Sequence, residues 1–347
     1  MKTIVAHAAN EIRIVDTPIP KPGPYQALVK TEFACICNHT DSELLRGSFP
    51  GMEQAFPFAL GHESVGVVQE VGEKVRHFKT GARAISGLVF DLGVPGLESG
   101  WGGFCEYVLV NDHEAMVTDG VDNEANGWIE VFEIQTPLAP DIPPEDAVLL
   151  CTWREVLGAF RDFHFQPGDD VLIFGGGPVG LSFVKLGRLF GLGWIGLVDR
   201  HPEKRSKAEA FGADATFDRE DPALNDLTKI RGKKLDAIVD AVGSPKLIDQ
   251  GLPLLKRAGS FCVYGFYAGL KQFSISNHLG DFNYNIFVHQ WPTRLFEKEA
   301  QTPLCQWIRE GKLSGQEFTS HRFPIRHIDQ GFDAVRNRKV IKALLSY

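Results

Sequence analysis

The sequence DVLIFGGGPVG, residues 170–180, decides the fold of the middle part of the chain. A short apolar run ends at Phe174, three glycines follow, and apolar residues then recur at helical spacing over residues 178–190. This pattern predicts a strand, a turn and a helix, in which Gly175 makes the turn, Gly177 admits a pyrophosphate and Gly180 allows close packing. The free N–H groups at the start of such a helix attract phosphate. The stretch therefore predicts a dinucleotide-binding loop.

An acidic residue closes the next predicted strand, residues 194–198. Asp199 lies 24 positions after Gly175, where a carboxylate accepts hydrogen bonds from the adenosine ribose hydroxyls. The alternative role of Asp199 is to cap the helix that follows. A 2′-phosphate about 4 Å away would be repelled by a few kcal/mol at an effective dielectric of about 20, so NAD is expected rather than NADP, although Arg200 softens this preference. The predicted cofactor-binding residues are Gly175, Gly177, Pro178, Val179, Gly180, Asp199 and Arg200.

Strands and helices continue to alternate beyond this unit. A charged helix is predicted over residues 202–211, and further buried strands at 235–241 and 259–264. Such alternation predicts an α/β fold with a doubly wound parallel sheet.

The ends of the chain have a different pattern. Roughly the first 110 residues show short strands with many turns, and mixed elements return after residue 287. We therefore expect a β-rich domain made of residues 1–150 and 288–347, and a dinucleotide-binding domain at residues 151–287.

The segment 111–144 fits neither pattern. Asp-Gly and Asn-Gly pairs at 119–120 and 126–127 precede the apolar run 128–134, which predicts an extra hairpin. The alternatives for its role are a plain surface excursion, an oligomer contact and a lid over the pocket.

Composition limits the partners of the chain. Its 347 residues favour two domains, and the net charge of −8 argues against nucleic acid or an anionic membrane as a partner. Six cysteines spread over this length do not suggest a disulfide framework. We expect a cytoplasmic homo-oligomer, a dimer or tetramer, that acts on a small molecule.

Residues of the types that bind metals occur in three segments, 33–41, 61–63 and 148–151. Thiolate together with imidazole selects zinc, and three protein ligands with an open fourth position make a catalytic site. Spacing alone does not establish such a site, because cysteine is often buried and a lone histidine is usually structural. The residues concerned are Cys35, Cys37, His39, Thr40, Asp41, His62, Glu63 and Cys151.

Several motifs resemble those of the zinc-type medium-chain dehydrogenase/reductases, a family that contains alcohol, sorbitol, glucose and threonine dehydrogenases. They are GHESVG at 61–66, VGEKVRHFKTG at 71–81, GGFCEY at 102–107, QPGD at 166–169 and GKL at 311–313. The resemblance covers the whole chain apart from the excursion after Asn111. It implies a GroES-like catalytic domain, a Rossmann cofactor domain and an active site in the cleft between them.

The resemblance also implies a ligand set. Cys37, His62 and Cys151 would bind the catalytic zinc, with Cys35 as a rival for the first position. Glu63 would be an alternating ligand or a neighbour of the ligands, and Asp41 would accept a hydrogen bond from His62.

Two departures from the family pattern matter. The segment CNHTD at 37–41 is one residue longer than the Cys-x-Thr/Ser-Asp motif of most relatives. Thr40 is therefore expected to relay the proton, and His39 is the alternative. The branch of the family with a second, structural zinc has four cysteines in the lobe between about residues 86 and 107, where this chain has Cys105. One zinc per chain is expected.

The expected reaction is hydride transfer between an alcohol and NAD, with zinc as the Lewis acid. Arg154 and Glu155 lie three and four residues after Cys151, and if they face the pocket they favour a secondary alcohol of a sugar, polyol or cyclitol. Ordinary helix packing and a surface ion pair are the alternative explanation for this pair. The alternative functions are oxidation of simple monohydric alcohols, a metal-free reductase of the quinone reductase type, and a non-catalytic nucleotide-binding or structural protein.

Overall fold

The computed structural model describes residues 1–52, 55–267, 270, 272–276 and 279–347. The chain forms two compact units, Met1–Arg154 with Lys298–Tyr347, and Glu155–Glu297. The sequence predicts these divisions after residues 150 and 287. Within the described residues, no helix is both long and apolar enough to cross a membrane.

Strands and helices are numbered along the chain. The strands are β1 Lys2–Ala8, β2 Glu11–Asp16, β3 Gln26–Ile36, β4 Phe58–Ala59, β5 Ser64–Val71, β6 Arg83–Ile85, β7 Glu98–Ser99, β8 Tyr107–Asn111, β9 Pro137–Leu138, β10 Val171–Phe174, β11 Ile195–Val198, β12 Ala215–Phe217, β13 Leu235–Asp240, β14 Leu255–Val263, β15 Asn285–Val288, β16 Thr319–Pro324 and β17 Lys342–Ser346. The α-helices are α1 Thr40–Arg46, α2 His113–Thr118, α3 Pro144–Ala147, α4 Leu150–Asp162, α5 Pro178–Phe190, α6 Pro202–Ala210, α7 Leu227–Arg231, α8 Lys246–Gly251, α9 Arg294–Arg309 and α10 Ile328–Arg336. Short 3-10 helices occupy Glu124–Asn126, Glu130–Ile134, Pro222–Leu224, Leu252–Leu254, Gly280–Phe282, Gly315–Glu317 and Ile325–His327.

The first unit is β-rich, as the sequence predicts. One sheet has the strand order β2-β1-β4-β7, and a second has the order β16-β17-β3-β5-β6-β9, with β8 also paired to β3. Strand β17, from the end of the chain, runs antiparallel to β3 and aligns Ala343 with Ile36. This pairing places the last strand of the protein beside the segment that carries the first candidate metal ligands.

The second unit confirms the doubly wound prediction. Its parallel strands lie in the order β12-β11-β10-β13-β14-β15, in which the first strand along the chain is central and the connections run to both sides. All residues of β10 and β11 are buried, as expected for strands covered on both faces. The predicted helix over residues 178–190 matches α5 at both ends.

The predicted hairpin in the segment 111–144 is wrong. The segment instead forms α2 and two 3-10 helices, one of which includes most of the apolar run. Asp112 begins α2 by accepting a hydrogen bond from the Ala115 N–H at 3.1 Å. Gly127 ends the next 3-10 helix in the left-handed conformation. The Asp-Gly and Asn-Gly pairs therefore lie at helix ends, since Asp119 is the C-cap residue of α2 and Gly127 follows the 3-10 helix that ends at Asn126.

Candidate functional site

Two neighbouring strands of the first unit position the candidate metal ligands. Strands β3 and β5 run antiparallel, and Ala34 pairs with Ser64. The Cys35 N–H donates to the Glu63 carbonyl at 3.0 Å, which extends this pairing beyond the start of β5. Cys37, just after the end of β3, therefore lies close to the two residues that precede β5.

A cysteine, a histidine and a glutamate converge at this point. One donor atom from each of Cys37, His62 and Glu63 lies within 4.8 Å of the other two. Cys35 is completely buried within β3, where burial raises the pKa of its thiol well above the usual value. The structure thus groups Cys37, rather than Cys35, with His62. Thiolate, imidazole and carboxylate are the donor types that zinc prefers, so these residues fit the metal that the sequence predicts.

Asp41 is adjacent to the imidazole ring of His62. Its Oδ1 is 3.2 Å from His62 Nδ1, while its Oδ2 accepts the Cys37 N–H at 2.8 Å. Burial acts to lower the pKa of His62, but Asp41 and Cys37 outweigh it and raise that pKa well above its ordinary value. A carboxylate on one imidazole nitrogen fixes the ring and leaves the other nitrogen for a metal, which is the usual arrangement of a metal-binding histidine.

Glu63 is held by residues that the sequence analysis did not single out. Lys342 Nζ lies 2.6 Å from both of its carboxylate oxygens, and the Thr152 hydroxyl donates to Oε1 at 3.3 Å. Burial acts to lower the pKa of Lys342, but its interactions with Glu63 and with the nearby Cys37 and Cys35 raise that pKa above its ordinary value. The signal in the sequence is a single lysine within the otherwise apolar run at 340–345.

Cys151 lies near the start of α4 and is buried. Its Sγ is 3.6 Å from Ser86 Oγ and 4.0 Å from the Ser64 carbonyl oxygen. Cys151 is therefore next to β5. It does not belong to the group of Cys37, His62 and Glu63, whose donor atoms lie within 4.8 Å of one another. Cys105, in the lobe where relatives with a structural zinc have four cysteines, packs into the apolar core of the first unit.

Arg154 contacts protein acceptors rather than an open pocket. Its guanidinium is completely buried and donates to the Ile134 carbonyl at 2.9 Å, to Thr136 Oγ1 at 3.1 Å, to Gln301 Oε1 at 2.9 Å and to Ser86 Oγ at 3.0 Å. Both terminal nitrogens are thus bonded within the first unit. The expectation that Arg154 meets substrate hydroxyls is wrong, because a buried cation needs such internal acceptors and here it has them.

The two candidates for the proton relay occupy adjacent positions at the start of α1. Thr40 is the first residue of this helix and is partly buried, whereas His39 is its exposed N-cap residue. Both follow Cys37 closely in the chain.

The glycine-rich loop of the second unit has the predicted form. Gly175 follows β10 with a φ of +103°, and Gly177 is the N-cap residue of α5. A Cβ atom on Gly180 would lie 1.7 Å from the Gly175 carbonyl oxygen, whereas one on Gly177 would have open space. Gly180 therefore allows the close packing of helix against loop, and the Gly177 backbone is open to a ligand at the positive end of α5.

Asp199 follows β11 and faces this loop. Its Oδ2 accepts the Gly176 N–H at 2.7 Å, and its Oδ1 accepts the His201 N–H at 2.8 Å. Lys204 Nζ lies 3.9 Å from Oδ2. The neighbouring Arg200 donates to His201 Nε2 at 3.1 Å. Each carboxylate oxygen keeps acceptor capacity beyond its one backbone bond, so Asp199 can also receive ribose hydroxyls.

Known proteins match this chain along most of its length. Residues 23–119 match the family described as alcohol dehydrogenase GroES-like domain, and residues 178–302 match the family described as zinc-binding dehydrogenase. An alcohol dehydrogenase of Cupriavidus necator is 26% identical over 362 residues, which cover 98% of this chain and 96% of the relative. Sorbitol dehydrogenase of Bacillus subtilis is 29% identical over 271 residues, covering 76% and 75% respectively. The crystal structure of 2R,3R-butanediol dehydrogenase from Bacillus subtilis shares the fold, with a TM-score of 0.78, 23% identity, and coverage of 100% of this chain and 99% of that one.

Proposed function

Because this chain belongs to the zinc-type medium-chain dehydrogenase/reductase family, we propose that it oxidises a secondary hydroxyl of a sugar, polyol or cyclitol with NAD, at one zinc per chain. In broader terms, the chain is a zinc-dependent dehydrogenase that acts on alcohols or polyols with a nicotinamide cofactor. The observation that carries the proposal is the group formed by Cys37, His62 and Glu63, with Asp41 behind His62.

Cys37, His62 and Cys151 are the proposed zinc ligands. Glu63 is the nearer third donor, but Lys342 contacts both of its carboxylate oxygens at 2.6 Å, so its charge is already paired. Cys151 has a buried sulfur beside the Ser64 backbone, and thiolate is the softer and stronger zinc ligand. Glu63 therefore takes the role of an alternating ligand that Lys342 restrains.

Cys37, His62 and Cys151 would hold the zinc ion, which when bound would supply Lewis-acid polarisation of the substrate hydroxyl. The side chains around it position and move protons. Asp41, with Oδ1 3.2 Å from His62 Nδ1, would hold the orientation of the imidazole and leave Nε2 for the zinc. The Thr40 hydroxyl receives the proton that the substrate loses and passes it to solvent, with His39, more exposed, as its alternative.

NAD is the proposed cofactor. The loop at Gly175–Gly177 and the start of α5 would hold the pyrophosphate, with Pro178, Val179 and Gly180 forming the first turn of that helix. Asp199 is bonded to the loop backbone and would receive the ribose hydroxyls, and its charge would repel a 2′-phosphate. The nicotinamide, when bound, is the hydride acceptor.

The relatives, rather than Arg154, support the proposed substrate class. That side chain is enclosed by protein, so the preference for several hydroxyls is supported instead by the likeness to sorbitol dehydrogenase. Oxidation of a monohydric alcohol remains the alternative, and the likeness to an alcohol dehydrogenase supports it.

A homo-oligomer, a dimer or tetramer in the cytoplasm, completes the proposal. Strand β15 is the last strand in the order of the parallel sheet, and its Val288 is 53% exposed. An apolar residue on an edge strand favours pairing with a second chain. Light scattering of the purified protein tests this, and a monomer at micromolar concentration would contradict it.

The decisive test of the proposed reaction is NADH formation from polyols by the purified enzyme and its variants. We expect turnover in wild type and loss of both zinc and turnover in Cys37→Ser. Cys305→Ser is the matched control, because Cys305 is a buried thiol of the same unit on α9. Full activity without zinc would contradict the proposal.

A further inference from the structure

A buried hydrogen-bond chain leads from Arg154 through Ser86 to Cys151. Arg154 Nη2 lies 3.0 Å from Ser86 Oγ, and Ser86 Oγ lies 3.6 Å from Cys151 Sγ. Arg154 and Ser86 are 0% and 3% exposed. A guanidinium can only donate hydrogen bonds, so the serine oxygen accepts from Arg154 and its own proton remains available for the sulfur.

The backbone of Ser86 is unusual for a serine. Its φ is +60°, a left-handed conformation that disfavours residues other than glycine and asparagine. The Ser86 N–H donates to the Ser64 carbonyl at 2.9 Å, and its carbonyl accepts from Gln135 Nε2 at 2.9 Å. This backbone conformation suits glycine, yet the residue is a serine held by two backbone hydrogen bonds, with its hydroxyl beside the Cys151 sulfur. Such an arrangement indicates that the hydroxyl itself has a function.

We propose that Ser86 and Arg154 are positioning residues for Cys151, in which the hydroxyl donates to the sulfur and the guanidinium fixes the direction of that donation. This inference rests on the proposed function in one respect, namely that Cys151 is a zinc ligand. Arg154 orients the hydroxyl because its other bonds, to Ile134, Thr136 and Gln301, hold the guanidinium in place. A hydrogen bond to a metal-bound thiolate restrains its position and reduces its electron donation to the metal.

The test is metal binding by the full-length protein, measured as the zinc dissociation constant in competition with a chelator and as the thiolate-to-cobalt charge-transfer band after cobalt substitution. Ser86→Gly removes the hydroxyl and keeps a residue that adopts positive φ readily, so the variant is expected to fold. We expect zinc affinity to fall by about 10- to 100-fold and the cobalt band to move to longer wavelength. Arg154→Met should shift both readouts in the same direction, and if it fails to fold, the Ser86→Gly variant still decides.

Thr31→Val is the matched control. It removes a buried hydroxyl of the same unit that donates to the Cys105 carbonyl rather than to a sulfur, so zinc affinity and the cobalt band should match wild type. Wild-type affinity and an unchanged band in Ser86→Gly would overturn the inference. Cys151→Ser separates this failure from that of the proposed ligand set, because a Cys151→Ser variant with the full charge-transfer band would show that Cys151 is not a ligand at all.

Discussion

Lys342 Nζ lies 2.6 Å from both carboxylate oxygens of Glu63, and both side chains are almost completely buried. The two residues are 279 positions apart, and they meet because β17 pairs with β3. An ion pair in such a place is costly to break from one side, since the remaining charge is left buried without a partner.

Lys342→Met should therefore destabilise the metal-free protein by about 3–5 kcal/mol, measured by urea unfolding. The double variant Glu63→Gln with Lys342→Met should recover much of that loss, because neither charge remains. Lys2→Met, which breaks an exposed ion pair with Asp16 in the same unit, should leave unfolding almost unchanged. Equal unfolding midpoints for Lys342→Met and wild type would contradict the interpretation.

We propose that Asp199 governs the choice between the two nicotinamide cofactors. Replacing it with serine should weaken NAD binding and improve NADP binding, because the acceptor of the ribose hydroxyls and the charge that repels a 2′-phosphate are both lost. A repulsion of a few kcal/mol corresponds to a change on the order of 100-fold in relative affinity. Steady-state kinetics with both cofactors measure it.

Glu203→Ser is the control for Asp199, since it removes an exposed negative charge from the first turn of the next helix. Its cofactor preference should stay as in wild type. A native enzyme that uses NADP as well as NAD would show that the role given to Asp199 is wrong.

The proton relay predicts a ranking of two neighbouring variants. Thr40→Val should lower turnover by about 100-fold or more while zinc stays bound, because only a proton path is removed. His39→Asn should have a smaller effect, in keeping with its exposed position. The pH dependence of turnover in both variants is the measurement. The reverse ranking would transfer the relay to His39.

Local sequence was sufficient to predict the central strands β10, β11, β13 and β14 of the second unit, but not its edge strands β12 and β15. Strand, glycine turn, helix and acid follow one another within residues 170–199, so hydrophobic spacing and glycine chemistry fixed α5 at both of its ends. The proximity of Cys37 and His62 could also be predicted, because the motifs that contain them adjoin two neighbouring strands.

The missed features depend on distant contacts. The partner of Glu63 comes from the last strand, and the positive φ of Ser86 is set by its bonds to Ser64 and Gln135. Arg154 has the spacing of a pocket residue on α4, yet its acceptors come from elsewhere in the first unit. No local pattern specifies these contacts.

The substrate class is tested by comparing sorbitol, glucose, inositol, 2,3-butanediol, ethanol and benzyl alcohol at matched concentrations. We expect a polyhydroxylated compound to have the highest kcat/KM, because a site that bonds substrate hydroxyls rejects analogues without them by large factors. A monohydric alcohol that wins by a wide margin would refute the polyol proposal and leave the dehydrogenase assignment intact.

The central claim, a single catalytic zinc held by Cys37, His62 and Cys151, is tested most directly by elemental analysis of the active enzyme and of two variants. The account predicts one zinc per chain in wild type and a marked loss in Cys37→Ser and in Cys151→Ser, with the other buried cysteines dispensable. Two tightly held zinc ions per chain, or none in enzyme that still oxidises its substrate, would contradict it.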